Sequence, residues 1–280
     1  MNLNELTYIA NHGIIDILKD FSIPSNIVSK KLIAAMEYSL ICKGKRLRPV
    51  MLLASFFDVC GLKKTNTYPI AIKYLVFAIE ALHTYTLIHD DLPCLDNDDL
   101  RRGKPSSHKQ FGEATALLAG DALLNASFEA FIEAIKLEPK LIHAANYFYS
   151  LSGAQGLIAG QSLEFELESF SNETLIQIFT HKTAALFRSA AYIGCTLGLI
   201  YSKKYDNKIN PELKALDNFA LNYGLAFQLK DDLDDLNPKG YAVRFGIENT
   251  KNLFNDYKLK AIESLKNYNF PFLTAIVNNL

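Results

Sequence analysis

The chain has 280 residues, enough for one large domain or two small ones with a substantial buried core. Hydrophobic residues make up 49% and charged residues 21%, which excludes a disordered or low-complexity chain. The 29 basic and 30 acidic residues leave a net charge of −1, so no global basic field exists to hold nucleic acid, and any phosphate chemistry must come from local clusters.

With only 14 glycines and 9 prolines, breakers are scarce, which favours long helices over many short strands. The opening segment MNLNELTYIA has no basic stretch leading into an apolar core, so no signal peptide is expected. After Pro24, apolar residues recur at helical steps over 27–42, and beyond Gly44 comes an apolar segment, 50–57. The Gly61–Pro69 stretch interrupts the pattern. It resumes over 70–92, where Ile72, Leu75, Val76, Ile79 and Leu82 belong to a face broad enough for a helix buried among other helices. Further helical patterns cover 114–137, 173–200, 212–236 and 247–267, with breaks at Pro105, Pro139, Ser169–Asn172, Tyr205–Pro211 and Asn237–Gly240. Between Leu141 and Leu163 no Asp, Glu, Lys or Arg occurs. The polar His143, Asn146, Gln155 and Gln161 there indicate a buried helix pair and not a membrane span. The four cysteines, Cys42, Cys60, Cys94 and Cys195, form no CxxC pair, which argues for a reducing, cytoplasmic compartment. The expected architecture is all-α: one domain over 1–280, a bundle of about ten helices.

Two acidic segments stand out. His89-Asp90-Asp91-Leu92-Pro93-Cys94-Leu95-Asp96-Asn97-Asp98-Asp99 and Lys230-Asp231-Asp232-Leu233-Asp234-Asp235 both end strongly apolar helical patterns. On a helix, Asp231 and Asp235 share one face, with Cβ atoms ~5–6 Å apart. Two carboxylates that close repel unless a cation lies between them, and all-oxygen donors suit Mg²⁺. Asp90 and Asp96 are about 240° apart on an ideal helix, so they meet only if the helix ends. Pro93 supplies that end by removing a donor and clashing with the carbonyl at position 89. A single acidic run is more often a solvated helix face; two of them, with cations close by, are not so easily dismissed.

Those cations form two patches, Lys45, Arg46 and Arg48 in GKRLRP, and Arg101 with Arg102 after the first acidic run. Guanidinium groups bind phosphate bidentately and lysine binds it as a point charge. His83 lies two helical turns before Asp90, where a satisfied core histidine is the plainer alternative. Lys182 and Thr183 interrupt an apolar run, as does Gln228 one turn before Asp231; a buried lysine is costly without a counter-charge, so Lys182 is expected to face an anion. Gln161 and Glu164 give a weaker signal, compatible with ordinary bonding between helices. Two metal-binding clusters and two basic patches describe a site for two diphosphates. With an aromatic-lined chamber (Tyr74, Phe77, Tyr85, Phe187, Tyr192, Phe227), they suit ionisation of an allylic C–O bond away from water.

HDDLPCLDNDDLRRG resembles the first aspartate-rich motif of the trans-isoprenyl diphosphate synthases, most of all the bacterial farnesyl diphosphate synthases, FQLKDDLDD resembles the second, and GKRLRP, HKTAAL and GQSLEFE match the family's other sites, all in the family's order. The resemblance covers roughly residues 30–270 and implies the isoprenoid synthase fold, helices around a central cavity. It implies that Asp90 and Asp96 bind two Mg²⁺ ions, with Asp91 supporting, and that Asp231 binds a third, with Asp232 and Asp235 nearby. Arg101 and Lys182 would contact the allylic diphosphate, and Lys45, Arg48, His83 and Arg102 the isopentenyl diphosphate. Thr183 and Gln228 would steady the developing cation. The implied reaction is head-to-tail condensation of isopentenyl diphosphate with dimethylallyl and geranyl diphosphates to farnesyl diphosphate, by a cytoplasmic homodimer. Tyr85 and Thr86, just before the first motif, would set product length, with the Tyr85 ring as the chamber floor. A geranyl or geranylgeranyl diphosphate synthase, a terpene cyclase and a non-catalytic regulatory subunit are the competing readings; the two intact acidic motifs weigh against the last two. One departure is clear: after Asp235 the family's long loop is largely missing, and its lysine has only Lys230 and Lys239 as possible counterparts.

Overall fold

The computed structural model describes residues 2–20, 29–42, 44–61, 68–166, 171–206, 210–235 and 240–280. Helices form where the apolar period runs unbroken. α1 (Leu3–Asp20), α2 (Lys30–Leu40), α3 (Leu47–Cys60) and α4 (Ala71–Asp90) precede a small hairpin, β1 (Leu100–Arg101) and β2 (Lys104–Pro105). Then follow α5 (Ser107–Phe111), α6 (Glu113–Leu137), α7 (Ile142–Ser152), α8 (Leu157–Glu166) and α9 (Asn172–Phe179). A π-helical turn (Thr180–Ala184) leads into α10 (Ala185–Tyr201), α11 (Pro211–Asp235), α12 (Tyr241–Phe245), α13 (Ile247–Ser264) and α14 (Pro271–Asn278).

The all-α expectation is met. Fourteen α-helices occur among the described residues where about ten were expected, partly because α5 and α12 have five residues each. So short a helix shows too little apolar spacing to register as a pattern. The uncharged stretch 141–163 does divide into two helices, α7 and α8. The breaks expected at Pro24 and within 61–69, 169–172, 205–211 and 237–240 fall wholly or partly outside the described residues. Among the described residues, three helical runs are long and apolar enough to cross a membrane: α4, α6, and α9 through α10. In the first and last, 78% and 83% of the apolar window is buried inside the structure. In α6 the share is 44%, and Leu117, Leu118, Phe128 and Ile132 are exposed along it.

The chain divides into two units, one of residues 4–50 and 65–139, the other of residues 1–3, 51–64 and 140–280. In the first, α4 is the central helix, with 14 of its 20 residues buried, and it packs along α6. Ser127 Oγ of α6 donates to the Ala78 carbonyl of α4 at 2.8 Å, and Lys73 of α4 meets Asp16 of α1 at 2.6 Å. Phe77 is fully buried in this packing.

In the second unit α10 carries the core. Phe187 is fully buried and packs edge-on to Tyr223 and tilted against Phe227 of α11, with ring centroids 5.1 and 5.4 Å away. Arg188 of α10 donates through Nε and Nη2 to both carboxylate oxygens of Asp217 on α11, each at 2.8 Å. Tyr147 of α7 donates to the same carboxylate, and its ring stacks on Tyr192 at 4.1 Å. This network pins three helices with one bidentate pair.

Asp58, near the end of α3, caps α14: its carboxylate accepts from the Phe272 and Leu273 amides at 3.2 and 2.9 Å. Burial raises its pKa to about 7, against the opposing pull of the two amides. The folded chain therefore holds this proton where the unfolded chain has released it, between the ordinary carboxylate range and pH ~7, and stability falls as pH rises through that window. Asp58→Asn, which cannot ionise, should gain on the parent chain by on the order of 2–4 kcal/mol between pH 5 and pH 8. Thermal melts of both chains across this range check it; parallel curves would refute it.

Candidate active site

In the unit built on α4, the helix stops at Asp90 and the chain folds back. The Leu92 amide donates to the His89 carbonyl at 3.0 Å, the Asp96 amide to the Asp90 carbonyl at 2.9 Å, and the Asn97 amide to Leu92 at 3.1 Å. Asn97 adopts φ +55°, a conformation asparagine tolerates better than most residues. The turn foreseen at Pro93 therefore exists, and it brings residue 96 back to residue 90. Asp90 is half-buried and Asp96 exposed.

Asp91 turns the other way. It is buried and accepts from Arg101 Nε at 2.9 Å and from Nη2 of the same guanidinium, which also reaches Asp98 at 3.0 Å. Burial raises the Asp91 pKa, and the Arg101 bond opposes that shift. Arg101 sits on β1 opposite Lys104, so the hairpin turn is Arg102-Gly103. Both turn residues have positive φ, +55° and +75°, which makes a type I′ turn and puts a non-glycine residue in the left-handed region. Arg102 Nη1 donates to the Cys42 carbonyl at 3.2 Å.

Arg48 donates through Nη1 to His83 Nε2 at 3.1 Å. Burial first, and then the charges of Arg48, Arg102, Arg46 and Arg101, hold the His83 pKa well below its usual value; the ring is neutral and accepts from Arg48. Arg48 thus meets His83, the charge of Arg102 also acts on that ring, and Lys45 is exposed ahead of α3. Arg46 departs from the expected patch. It is buried in an ion pair with Glu80, and also donates to the Leu40 and Cys42 carbonyls at 2.7 and 3.1 Å and to Asn11 Oδ1 at 3.1 Å. It braces the loop and presents no charge to a ligand. Thr86 Oγ1 donates to the His83 carbonyl at 2.8 Å. Tyr85 is buried, edge-on to His89 at 5.3 Å; burial raises its pKa, and the nearby Asp90 and Asp121 add to the shift.

The second unit carries the other motif. α11 remains helical through Asp235, so Asp231 and Asp235 stand at i, i+4 as expected; Asp231 is half-buried and Asp235 exposed. Asp232 is buried between them in sequence and accepts from Gln228 Nε2 at 3.0 Å and from the Tyr241 amide at 2.7 Å. Burial raises its pKa, with those two bonds pulling the other way. Lys230 pairs with Asp234 at 3.0 Å, while Lys239 lies outside the described residues.

Lys182 and Thr183 stand on the π-helical turn, which the apolar period gave no sign of. The extra residue per turn lets Lys182 reach Glu164 Oε2 of α8 at 2.7 Å while Thr183 Oγ1 donates to Gln228 Oε1 of α11 at 2.7 Å. Two glycines make room for it. A Cβ on Gly160 would lie 2.8 Å from the Lys182 amide nitrogen, and one on Gly224 2.6 Å from Ala184 Cα. The anion expected opposite Lys182 is thus Glu164, a residue that gave only a weak signal. Glu80 went unnoticed, although it is the one acidic residue between Ile70 and His89, in an apolar helix where a charge requires a partner.

Among the described residues, no three His, Cys, Asp or Glu side chains converge as a closed metal cage. Paired carboxylates with open positions fit Mg²⁺, which takes one or two carboxylates and fills its remaining positions with water and phosphate oxygens. The backbone turn returns residue 96 to residue 90, and α11 sets Asp231 and Asp235 one helical turn apart.

Comparison with known proteins agrees with this chemistry. The family profile described as Polyprenyl synthetase matches residues 29–247, and the chain belongs to that family. The farnesyl diphosphate synthase of Bacillus subtilis is 36% identical, over 83% of this chain and 76% of its own length. A heterodimeric geranylgeranyl pyrophosphate synthase large subunit from Arabidopsis thaliana is 40% identical over 74% of this chain; the match spans only 54% of that plant protein. The structure of a geranyltransferase from Helicobacter pylori, complexed with magnesium and isoprenyl diphosphate, superposes with a TM-score of 0.82 at 29% identity, covering 99% of this chain and 95% of that one.

Proposed function

We propose that this chain is a Mg²⁺-dependent prenyltransferase that joins isopentenyl diphosphate head-to-tail to dimethylallyl and then geranyl diphosphate, yielding farnesyl diphosphate and diphosphate. The observation that carries the reading is the turn after α4, which returns Asp96 to Asp90 while the adjoining hairpin presents Arg101 and Arg102. Bound Mg²⁺, held by Asp90 and Asp96 and by Asp231 with Asp235, would neutralise the charge of the diphosphate leaving group.

The chain's own residues prepare the rest. Arg101 is oriented by Asp91 before any ligand arrives, so its remaining N–H groups can meet the allylic diphosphate at little entropic cost. Glu164 pairs with Lys182 at 2.7 Å and holds it in a half-buried position, as a second contact for that diphosphate. Lys45, Arg48 and Arg102 are the cations for isopentenyl diphosphate, and neutral His83 orients Arg48 by accepting its hydrogen bond. Thr183 gives its hydroxyl proton to Gln228, so its lone pairs are what it offers to a developing carbocation.

The farnesyl product rests on Tyr85, whose buried ring lies one turn below Asp90. The plant relative favours a second reading, a geranylgeranyl diphosphate synthase. Labelled isopentenyl diphosphate supplied with dimethylallyl or geranyl diphosphate, with Mg²⁺ and with a chelator, tests the activity, and the chain length of the product decides between the two. Tyr85→Ala should lengthen the product beyond that of the parent chain. An unchanged product would remove Tyr85 as the floor while leaving the activity standing.

A further inference from the structure

We propose that Asp232 is a positioning residue that ties the Thr183–Gln228 pair to α12, and is not one of the carboxylates that hold metal. This rests on the prenyltransferase reading for its effect on turnover, though the bonds themselves do not. Both oxygens of Asp232 are engaged, Oδ1 by Gln228 Nε2 at 3.0 Å and Oδ2 by the Tyr241 amide at 2.7 Å. The residue is 4% exposed, which leaves no room for an ion that keeps several of its waters. Its neighbours Asp231 and Asp235 are half-buried and exposed.

The bonds through Asp232 close a ring. Thr183 donates to Gln228, Gln228 donates to Asp232, and the Tyr241 amide at the start of α12 donates to the other oxygen. Tyr241 in turn donates through its hydroxyl to Asn172 Oδ1 at 2.8 Å, at the first residue of α9. α9 runs directly into the π-helical turn that carries Lys182 and Thr183. The Tyr241 ring is buried with Leu175, Ile178 and Phe179 of α9 and the π-turn approach, and with Leu225 and Leu229 of α11. A carboxylate at 232 therefore joins Gln228 of α11 to the start of α12, and through Tyr241 to α9, which leads into the turn that presents Lys182 and Thr183. Five residues separate the end of α11 at Asp235 from the start of α12 at Tyr241, and Asp232 accepts from the first amide of α12.

The experiment compares Asp232→Ala, Asp232→Asn and Asp231→Asn by hydrogen–deuterium exchange and by Mg²⁺-dependent turnover. Asp232→Ala should speed exchange in residues 241–245 by about tenfold or more and lower kcat roughly 10- to 100-fold, with the Mg²⁺ concentration at half-maximal rate unchanged. Asp232→Asn, which still accepts the Tyr241 N–H, should recover much of both losses, and it serves alone if the alanine variant does not fold. Asp231→Asn should do the reverse, raising the Mg²⁺ requirement and leaving exchange in α12 as it was. Unchanged exchange in 241–245, or a raised Mg²⁺ requirement in Asp232→Asn, overturns the proposal. The exchange readout stands even if the chain turns over none of the offered diphosphates, so failure of the proposal and failure of the functional reading are distinguishable.

Discussion

Asp90→Ala should lower kcat/KM for the allylic substrate by ~10³-fold or more while leaving the fold intact. The substitution removes only the carboxylate. The carbonyl of residue 90, which accepts the Asp96 amide at 2.9 Å and so closes the turn, remains in place. Asp91, which secures Arg101 from the buried side, is untouched. Since the half-buried Asp90 side chain is not part of the core, the thermal midpoint should move by no more than about 2 °C. Asp96→Ala should behave alike, because the amide that closes the turn is kept. Turnover assays run beside thermal melts separate the two effects. A folded Asp90→Ala chain retaining a tenth or more of parental kcat/KM would rule out this motif as the seat of the chemistry.

Glu80→Ala should be the most destabilising of these substitutions. Glu80 and Arg46 are both almost wholly buried, and deleting one partner leaves the other charge without compensation, at a cost of about 3–5 kcal/mol. For a chain of this size that corresponds to a fall of roughly 6–20 °C in thermal midpoint. Glu80→Gln, which keeps an acceptor for the guanidinium, should lose distinctly less. A second effect follows from where Arg46 points. It holds the Leu40 and Cys42 carbonyls, and the Cys42 carbonyl also receives Arg102. Loosening that loop should raise KM for isopentenyl diphosphate more than it lowers kcat. A Glu80→Ala chain that melts with the parent would show that Arg46 finds another counter-charge, and that the pair does not brace the loop.

Much of the fold could be read from apolar spacing, because a helix of three or more turns repeats its signal several times. The short α12 and the single π-helical turn carry no such repeat, and both lie at the candidate site. The turn at Asp90 was legible for a local reason: a proline three residues on removes a donor and blocks helical continuation whatever surrounds it. The same logic supports the i, i+4 carboxylates of α11. Adjacent residues of like type are where local reading fails. Arg46 and Arg48 differ by two positions, yet one is sealed against Glu80 and the other meets His83. Asp91 and Asp232 each follow an expected ligand and each turn inward, because Arg101 and the Tyr241 amide await them there.

From the amino acids alone came the helical class, the kinds of charge assembled at each motif, and the point where α4 must end; these depend on backbone sterics and on residue chemistry acting over a few positions. Which carboxylates and cations satisfy one another and which remain turned toward a ligand was decided by tertiary structure, since that choice depends on partners brought from distant parts of the chain, as Glu80 is to Arg46 and Glu164 to Lys182. A buried charge must be compensated, but the rule does not say by whom; only the packed chain does.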